Sequence, residues 1–123
     1  MLTENDITGI SQRIVDAFAP LAVGTFGSYA LGSAGERSDL DLFVIKGSMR
    51  VTATASAFRW QLHDVLHPID IHVFTAEEFE ESVYQYLSFT WVIARQARLY
   101  HWTENAGKLV PSLLLRAIGQ AWK

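Results

Sequence analysis

The most informative stretch of the chain is Gly27-Ser28-Tyr29-Ala30-Leu31-Gly32-Ser33-Ala34-Gly35-Glu36-Arg37-Ser38-Asp39-Leu40-Asp41-Leu42-Phe43-Val44, in which a Gly-Ser pair, a run of small residues and an Asp-x-Asp pair follow one another. The segment before it, Leu21 to Phe26, predicts a strand that stops at the glycine, because glycine permits the backbone dihedrals of a sharp turn. Asp39 to Ile45 predicts a second strand, and the small residues between the two predict a tight turn with one helical turn.

The Gly-Ser pair has the chemistry of a phosphate-binding turn. Glycine lets the backbone come close to a triphosphate, and the amides that open the following helical turn can donate to phosphate oxygens. The Ser28 hydroxyl can donate as well. Gly27 and Ser28 are therefore candidate nucleotide-binding residues. The phosphate role of Ser28 is preferred over that of a hydrolase nucleophile, because the chain shows neither the Gly-x-Ser-x-Gly elbow of serine hydrolases nor a His partner for it.

The second strand carries two carboxylates on one face. Side chains alternate along a strand, so Asp39 and Asp41 project to the same side, together with Phe43 and Ile45. Like charges at this spacing repel each other unless a cation lies between them, and hard oxygen ligands suit Mg²⁺. An isolated Asp-x-Asp pair is more often a solvated strand or turn. The Gly-Ser pair at the right distance favours a nucleotide and metal site here.

A third carboxylate, Asp70, lies on a third predicted strand, Ile69 to Phe74. If this strand pairs beside the second one, Asp70 adjoins Asp39 and Asp41, and three converging carboxylates can hold two metal ions. The alternative is a plain carboxylate on an edge strand. The four histidines show no metal-ligand spacing, and we assign them no chemistry.

The Gly-Ser pair, the Ala-x-Gly-x-Ala stretch and Ser-Asp-x-Asp-Leu together resemble the signature of the minimal nucleotidyltransferases, a branch of the DNA polymerase β-like nucleotidyltransferase superfamily. The resemblance implies that fold, with Asp39 and Asp41 as metal ligands and Asp70 as the third carboxylate. It also implies that Gly27 and Ser28 contact the triphosphate.

The chain departs from the family pattern at one position of this signature. Many members carry Arg between the Ala and the Gly, where this chain has Leu31. A cation that would help to hold the phosphates is therefore missing or comes from elsewhere. The candidates are Arg37, Lys46 and Arg50, and the sequence does not choose among them.

The resemblance also implies an activity and a partner. Its members transfer a nucleoside monophosphate from a triphosphate to an acceptor hydroxyl with one or two Mg²⁺ ions, and ATP is the expected substrate. Minimal nucleotidyltransferases are commonly paired with a HEPN-type ribonuclease toxin, and some act as antitoxins by adding AMP to a tyrosine of that toxin. The alternative is a nucleotidyltransferase-fold antitoxin or regulatory module that has little or no catalytic activity and acts by binding its partner.

Periodicity along the rest of the chain predicts an α/β (α+β) domain over residues 1–123, with a small mixed sheet flanked by helices. We expect one break near Ser82 in the helical segment that follows the third strand. The remaining predicted elements are a helix from a Thr3–Asp6 capping box to near Pro20, a helix from Val51 to Leu66, a capping box at Thr75–Glu78, a strand from Leu99 to Trp102, a turn at Asn105-Ala106-Gly107 and a C-terminal helix at about 111–122.

Composition limits the classes of function. The chain has 123 residues and no cysteine, so disulfides, thiolate metal sites and thiol nucleophiles are excluded. No apolar run approaches the roughly 20 residues that cross a bilayer, and the N-terminus is acidic, so we expect a cytoplasmic protein without a membrane partner. The net charge of −3, without basic clusters, argues against long nucleic acid as a ligand.

Overall fold

The computed structural model describes residues 1–47 and 55–121, and the fold consists of four strands and seven α-helices within those ranges. The strands are β1 Ala22–Phe26, β2 Leu40–Lys46, β3 Ile69–Thr75 and β4 Arg98–Trp102. The helices are α1 Glu4–Phe18, α2 Ser28–Leu31, α3 Ala55–Gln61, α4 Ala76–Val83, α5 Phe89–Gln96, α6 Glu104–Leu109 and α7 Leu114–Ala121, with a 3₁₀ turn at Pro111–Leu113.

The four strands form one mixed sheet in the order β3-β2-β1-β4. β1 is antiparallel to both of its neighbours, whereas β2 and β3 are parallel and are joined by a crossover that contains α3. This sheet with flanking helices confirms the predicted α+β class and its small mixed sheet. The pairing of the third strand beside the second, on which the position of Asp70 depended, is also present.

Each face of the sheet has its own hydrophobic core, and β2 contributes to both. Phe43 and Ile45 are fully buried on the face that α4, α5 and α6 cover. Leu40, Leu42 and Val44 are fully buried on the face that α1 and α3 cover. The alternation read from the sequence is therefore confirmed, and it places Asp41 on the same side as Phe43 and Ile45.

Two capping boxes fix the starts of α1 and α4. The Thr3 hydroxyl accepts from the Asp6 amide at 3.1 Å, and the Asp6 carboxylate accepts from the Thr3 amide at 2.8 Å. The Thr75 and Glu78 pair repeats this exchange at 3.0 and 2.9 Å. Both predicted boxes are confirmed, and each satisfies two backbone amides that a helix start leaves without a partner.

The predicted turn at Asn105-Ala106-Gly107 is wrong, because these residues lie inside α6. The Thr103 hydroxyl caps this helix by accepting from the Ala106 amide at 3.3 Å, and Ala106 and Val110 are fully buried. Asn105 and Gly107 favour a turn, but the Thr103 cap and the burial of Ala106 and Val110 stabilise a helix instead.

The helical segment after β3 is interrupted as expected, although the break lies later than Ser82. α4 ends at Val83 and α5 begins at Phe89, with Leu87 between them in the left-handed region at φ 65°. Ser88 caps α5 by accepting from the Trp91 amide at 3.1 Å. The left-handed Leu87 interrupts the helical geometry, and the Ser88 cap then starts a second helix.

The C-terminal helix predicted at about 111–122 begins as the 3₁₀ turn and continues as α7. Trp122 lies outside the described residues, as do Arg50 and Val51, where the second predicted helix was expected to begin. None of the helices in the described ranges is long and apolar enough to cross a membrane.

Candidate active site

Asp41 and Asp70 are paired residues of neighbouring parallel strands. Paired positions of a parallel ladder project their side chains to the same face of the sheet, so the two carboxylates stand side by side. Asp39 lies just before β2 and is exposed, as is Asp70, whereas Asp41 is half-buried. The three predicted carboxylates thus lie at one end of the β2–β3 pair, with Asp41 the most enclosed of them.

The charges of these carboxylates act on Asp41. Burial raises the pKa of the Asp41 carboxyl, the negative charge of Asp70 raises it further, and Asp39 adds a smaller contribution in the same direction. His72 has an opposing effect and lowers it. A cation would bind favourably beside a half-buried carboxylate that has other negative charges near it. It would offset the repulsion between the carboxylates and the hydration that the buried carboxylate has lost.

The Gly27 backbone lies directly against the Asp41 carboxylate. Gly27 follows β1 directly and has a positive φ of 73°, and a Cβ atom built on it would lie 2.5 Å from Asp41 Oδ2. No larger residue fits there without moving the carboxylate or the turn. The Gly-Ser turn and the acidic cluster, which are separate motifs in the sequence, are therefore adjacent in the fold, with Ser28 as the first residue of α2.

Gln96 supports this turn from the end of α5. Its Oε1 atom accepts a hydrogen bond from the Gly27 amide at 2.9 Å. Sequence reasoning missed Gln96 because the two residues are 69 positions apart and no local spacing links them. Only the packing of α5 on the sheet brings the amide side chain to the turn.

A second network joins the residues that follow Ser28 to those that precede Asp39. His67 Nε2 lies 3.2 Å from the Tyr29 hydroxyl and 2.9 Å from the Ser38 carbonyl oxygen. The Tyr29 hydroxyl also accepts from the Leu2 amide at 3.1 Å. His67, to which we assigned no chemistry, thus connects the two ends of the loop that separates the site's two motifs.

The carboxylates fit a magnesium–nucleotide complex better than an all-protein metal cage. In residues 1–47 and 55–121, no three His, Asp or Glu side chains converge closely enough to hold a metal ion by themselves. Mg²⁺ commonly takes only one or two protein carboxylates and completes its octahedral shell with waters and substrate phosphates. The adjacent Asp41 and Asp70, next to a glycine turn, have the donor set for that arrangement.

The structure places two of the three basic residues that were considered for holding the phosphates. Lys46 is paired with Thr75 at the opposite end of β2 from Asp41, and each strand residue adds about 3.3 Å. It is therefore remote from the turn. Arg37 is exposed in the loop before Asp39, and Arg50 lies outside the described residues.

Comparison with known proteins gives a family and several similar folds. The family described as "Nucleotidyltransferase domain" matches residues 7–98, which include the Gly-Ser turn and all three carboxylates. No curated protein is significantly similar to the chain.

Among solved structures, a toxin–antitoxin crystallised with AMP-PNP is 16% identical in sequence to this chain. The match covers 93% of this chain and 90% of the other chain, with a TM-score of 0.58. A variant of the toxin–antitoxin MntA–HpeT is 19% identical, covers 98% of this chain and 91% of its own, and has a TM-score of 0.59. At these identities the likeness is one of fold.

Proposed function

The chain belongs to the nucleotidyltransferase domain family, and from this membership we propose that it transfers AMP from ATP to an acceptor hydroxyl in a Mg²⁺-dependent reaction. The observation that carries the proposal is the close approach of Gly27 to Asp41, whose carboxylate stands beside that of Asp70. A glycine turn suited to phosphates and a pair of carboxylates suited to a cation meet at one point, as nucleotidyl transfer requires.

In the proposed reaction, the acceptor oxygen attacks the α-phosphorus of ATP in line with the leaving group. A bond forms between that oxygen and the α-phosphorus, and the bond from the α-phosphorus to the oxygen bridging it to the β-phosphate breaks. Pyrophosphate leaves with the electron pair of that bond. Asp70, which is exposed, accepts the proton of the acceptor hydroxyl.

Gly27 and Ser28 bind the triphosphate in this proposal, through the turn amides and the Ser28 hydroxyl. Mg²⁺ held by Asp41 and Asp70, with Asp39 adding negative charge nearby and with waters and phosphate oxygens as further ligands, would supply positive charge at the attacking and leaving oxygens. Gln96 holds the Gly27 backbone in place by accepting a hydrogen bond from the Gly27 amide, and the turn therefore stays against Asp41.

We further propose that the chain is an antitoxin and that the acceptor is a tyrosine of a HEPN-type toxin. Two observations support this: the minimal-nucleotidyltransferase signature of residues 27–44, and a fold similar to those of toxin–antitoxin proteins over nearly the whole chain. The exposed carboxylates leave the site open to a protein substrate.

The test is transfer of label from α-³²P-ATP to a purified HEPN-type toxin. We expect Mg²⁺-dependent labelling of the toxin by the wild-type chain, and loss of labelling with Asp41→Asn and with Asp70→Asn. Asp64→Asn, which removes an exposed carboxylate that pairs with Arg13 away from the site, is the matched control and keeps the wild-type rate. Labelling that survives Asp41→Asn would contradict the proposed site.

A second candidate is an antitoxin that neutralises its toxin by contact alone. It is favoured by Leu31, which replaces the family arginine. The same experiment separates the two functions when toxin activity is measured beside labelling. Neutralisation that needs neither ATP nor Asp41 identifies the contact mechanism, and neutralisation that needs both identifies transfer.

A further inference from the structure

A cavity of about 670 Å³ lies between α2, the α5–β4 junction and α7. Leu31 lines it from α2, Arg95 and Gln96 line it from the end of α5, and Arg98 and Arg116 line it from β4 and α7. Three arginines from three different elements thus line one cavity, and no acidic residue is among those that line it. The cavity is therefore suited to an anion.

The three arginines are held in place by other groups. Arg95 lies over the Trp91 ring, 4.8 Å from its centroid, and Arg98 pairs with Glu4 at 3.0 Å. Arg116 donates from Nε to the Ala94 carbonyl at 3.2 Å and from its terminal nitrogen to the Arg95 carbonyl. Side chains that are already ordered lose little conformational entropy when they bind a ligand.

Arg95 and Arg116 have no ion pair with a carboxylate within the described part of the chain. Their contacts to a ring and to backbone carbonyls leave two positive charges without a formal counter-charge. An anion that enters the cavity therefore gains charge-assisted hydrogen bonds without first displacing a carboxylate. Arg98 retains Glu4 as a partner and contributes less.

The cavity adjoins the proposed nucleotide site through two residues. Gln96 lines the cavity and also accepts the hydrogen bond from the Gly27 amide. Leu31 also lines the cavity and lies one helical turn after Ser28, at the position where the family pattern has an arginine. A group bound at the Gly-Ser turn therefore has this cavity as a neighbour on the α5 side.

We propose that this arginine cavity binds the terminal phosphates of the nucleoside triphosphate and that Arg95 and Arg116 supply the positive charge that Leu31 lacks. The inference rests on the proposed function for the identity of the ligand. A long nucleic acid is a poorer match, because the net charge of the chain is −3 and the arginines surround a cavity rather than an extended surface.

The test measures binding of inorganic tripolyphosphate by calorimetry, which needs neither a nucleoside nor turnover. We expect Arg95→Gln to weaken binding about tenfold or more, since it removes charge-assisted hydrogen bonds. Arg59→Gln on α3, which removes an exposed arginine away from the cavity, keeps wild-type affinity. Arg116 is left intact because it also satisfies carbonyls at the end of α5.

A second variant tests the replacement of the family arginine directly. Leu31 is 60% exposed, so an arginine fits at this position, and we expect Leu31→Arg to restore tripolyphosphate binding to the Arg95→Gln chain. Equal affinity of the wild-type and Arg95→Gln chains, or no binding by the wild-type chain, overturns the inference. Binding that depends on Arg95 but is not accompanied by any transfer of AMP supports the phosphate-binding cavity and contradicts the proposed enzymatic activity. Transfer of AMP with an unchanged KM for ATP in Arg95→Gln supports the activity and contradicts the cavity.

Discussion

At the scale of single residues, the contact between Gly27 and Asp41 makes the clearest prediction. We expect Gly27→Ala to lower the free energy of unfolding by roughly 1–3 kcal/mol, the usual cost of a side chain in a sparsely populated region of dihedral space. The same variant weakens ATP binding, because its Cβ would lie 2.5 Å from Asp41 Oδ2. Urea denaturation and calorimetry with Mg²⁺-ATP measure the two effects.

Gly32→Ala is the matched control for that variant. Gly32 also has a positive φ, 76°, but a Cβ there meets nothing within 4 Å. We expect a loss of about 1 kcal/mol from backbone strain alone, with ATP affinity unchanged. If both variants lost ATP affinity equally, strain in α2 rather than the contact with Asp41 would be the cause.

Asp41→Asn is expected to abolish transfer while making the metal-free chain more stable at neutral pH. The pKa of Asp41 is raised in the folded state by burial and by Asp70. Its contribution to stability is therefore fully present below the unfolded-state pKa near 3.8 and is lost as pH rises through the folded-state pKa. The stability advantage of the variant should grow over that range.

Denaturation of both chains across that pH range, without metal, checks the sign. The carboxyls of Asp6, Asp64 and Glu78 have lowered pKa values and give the opposite trend, but they are present in both chains. The difference between the chains therefore isolates Asp41. A difference in the free energy of unfolding that stays constant with pH would show that the pKa of Asp41 is not raised in the folded chain.

Single residues of the site differed in how far the sequence predicts them. Asp39 and Asp41 follow from local alternation, and Asp70 requires one further assumption, which the parallel pairing of β2 and β3 satisfies. Gln96 could not be predicted, because its position beside the Gly-Ser turn comes from the packing of α5, and the same packing places Arg95 at the cavity that Leu31 lines. Long-range contacts of this kind leave no periodic pattern in a single sequence.

At the scale of helices and strands, the α4 cap makes a second stability prediction. Thr75 is buried and is both the last residue of β3 and the N-cap of α4. We expect Thr75→Ala to cost about 1 kcal/mol, within the usual range for a lost N-cap, and more than Thr3→Ala, whose cap is exposed. Chemical denaturation of the two variants measures the difference, and an equal or larger loss at Thr3 would contradict it.

The capping box also has a definite pH dependence. Hydrogen bonds from Thr75 hold the pKa of Glu78 below its ordinary value of 4.5. The stabilisation is therefore present above that value and is lost as pH falls through the folded-state pKa.

Elements with strong local signals were the ones predicted correctly. The two capping boxes and the alternation of β2 are encoded within a few residues and survive folding unchanged. α6 was missed because Asn105 and Gly107 favour a turn when considered alone. The burial of Ala106 and Val110 against the rest of the chain reverses that preference.

At the scale of the whole molecule, the C-terminal residues divide into a core part and a surface part. Val110 and Leu113 are fully buried, whereas Leu115 is 82% exposed and Ile118 is 45% exposed. We expect truncation after Gly107 to abolish cooperative unfolding, because it removes both buried side chains from the core that α4, α5 and α6 share.

Truncation after Leu113 is the matched comparison, since it keeps that core and removes only α7. We expect a cooperative thermal transition to remain, at a lower temperature, because α7 packs on β4. The same truncation removes Arg116 and should weaken tripolyphosphate binding. A truncation after Gly107 that unfolds as cooperatively as the longer chain would show that Val110 and Leu113 are dispensable.

The hydrogen bond between Gly27 and Gln96 has a consequence for the synthesis of the chain. Translation proceeds from the N-terminus, so the Gly-Ser turn and all three carboxylates leave the ribosome before the residue that supports the turn. β1 likewise waits for its second neighbour, since β4 follows Gln96. A nascent or prematurely terminated chain thus has every acidic residue of the proposed site without Gln96, and we expect ATP binding only by chains whose synthesis has passed that residue.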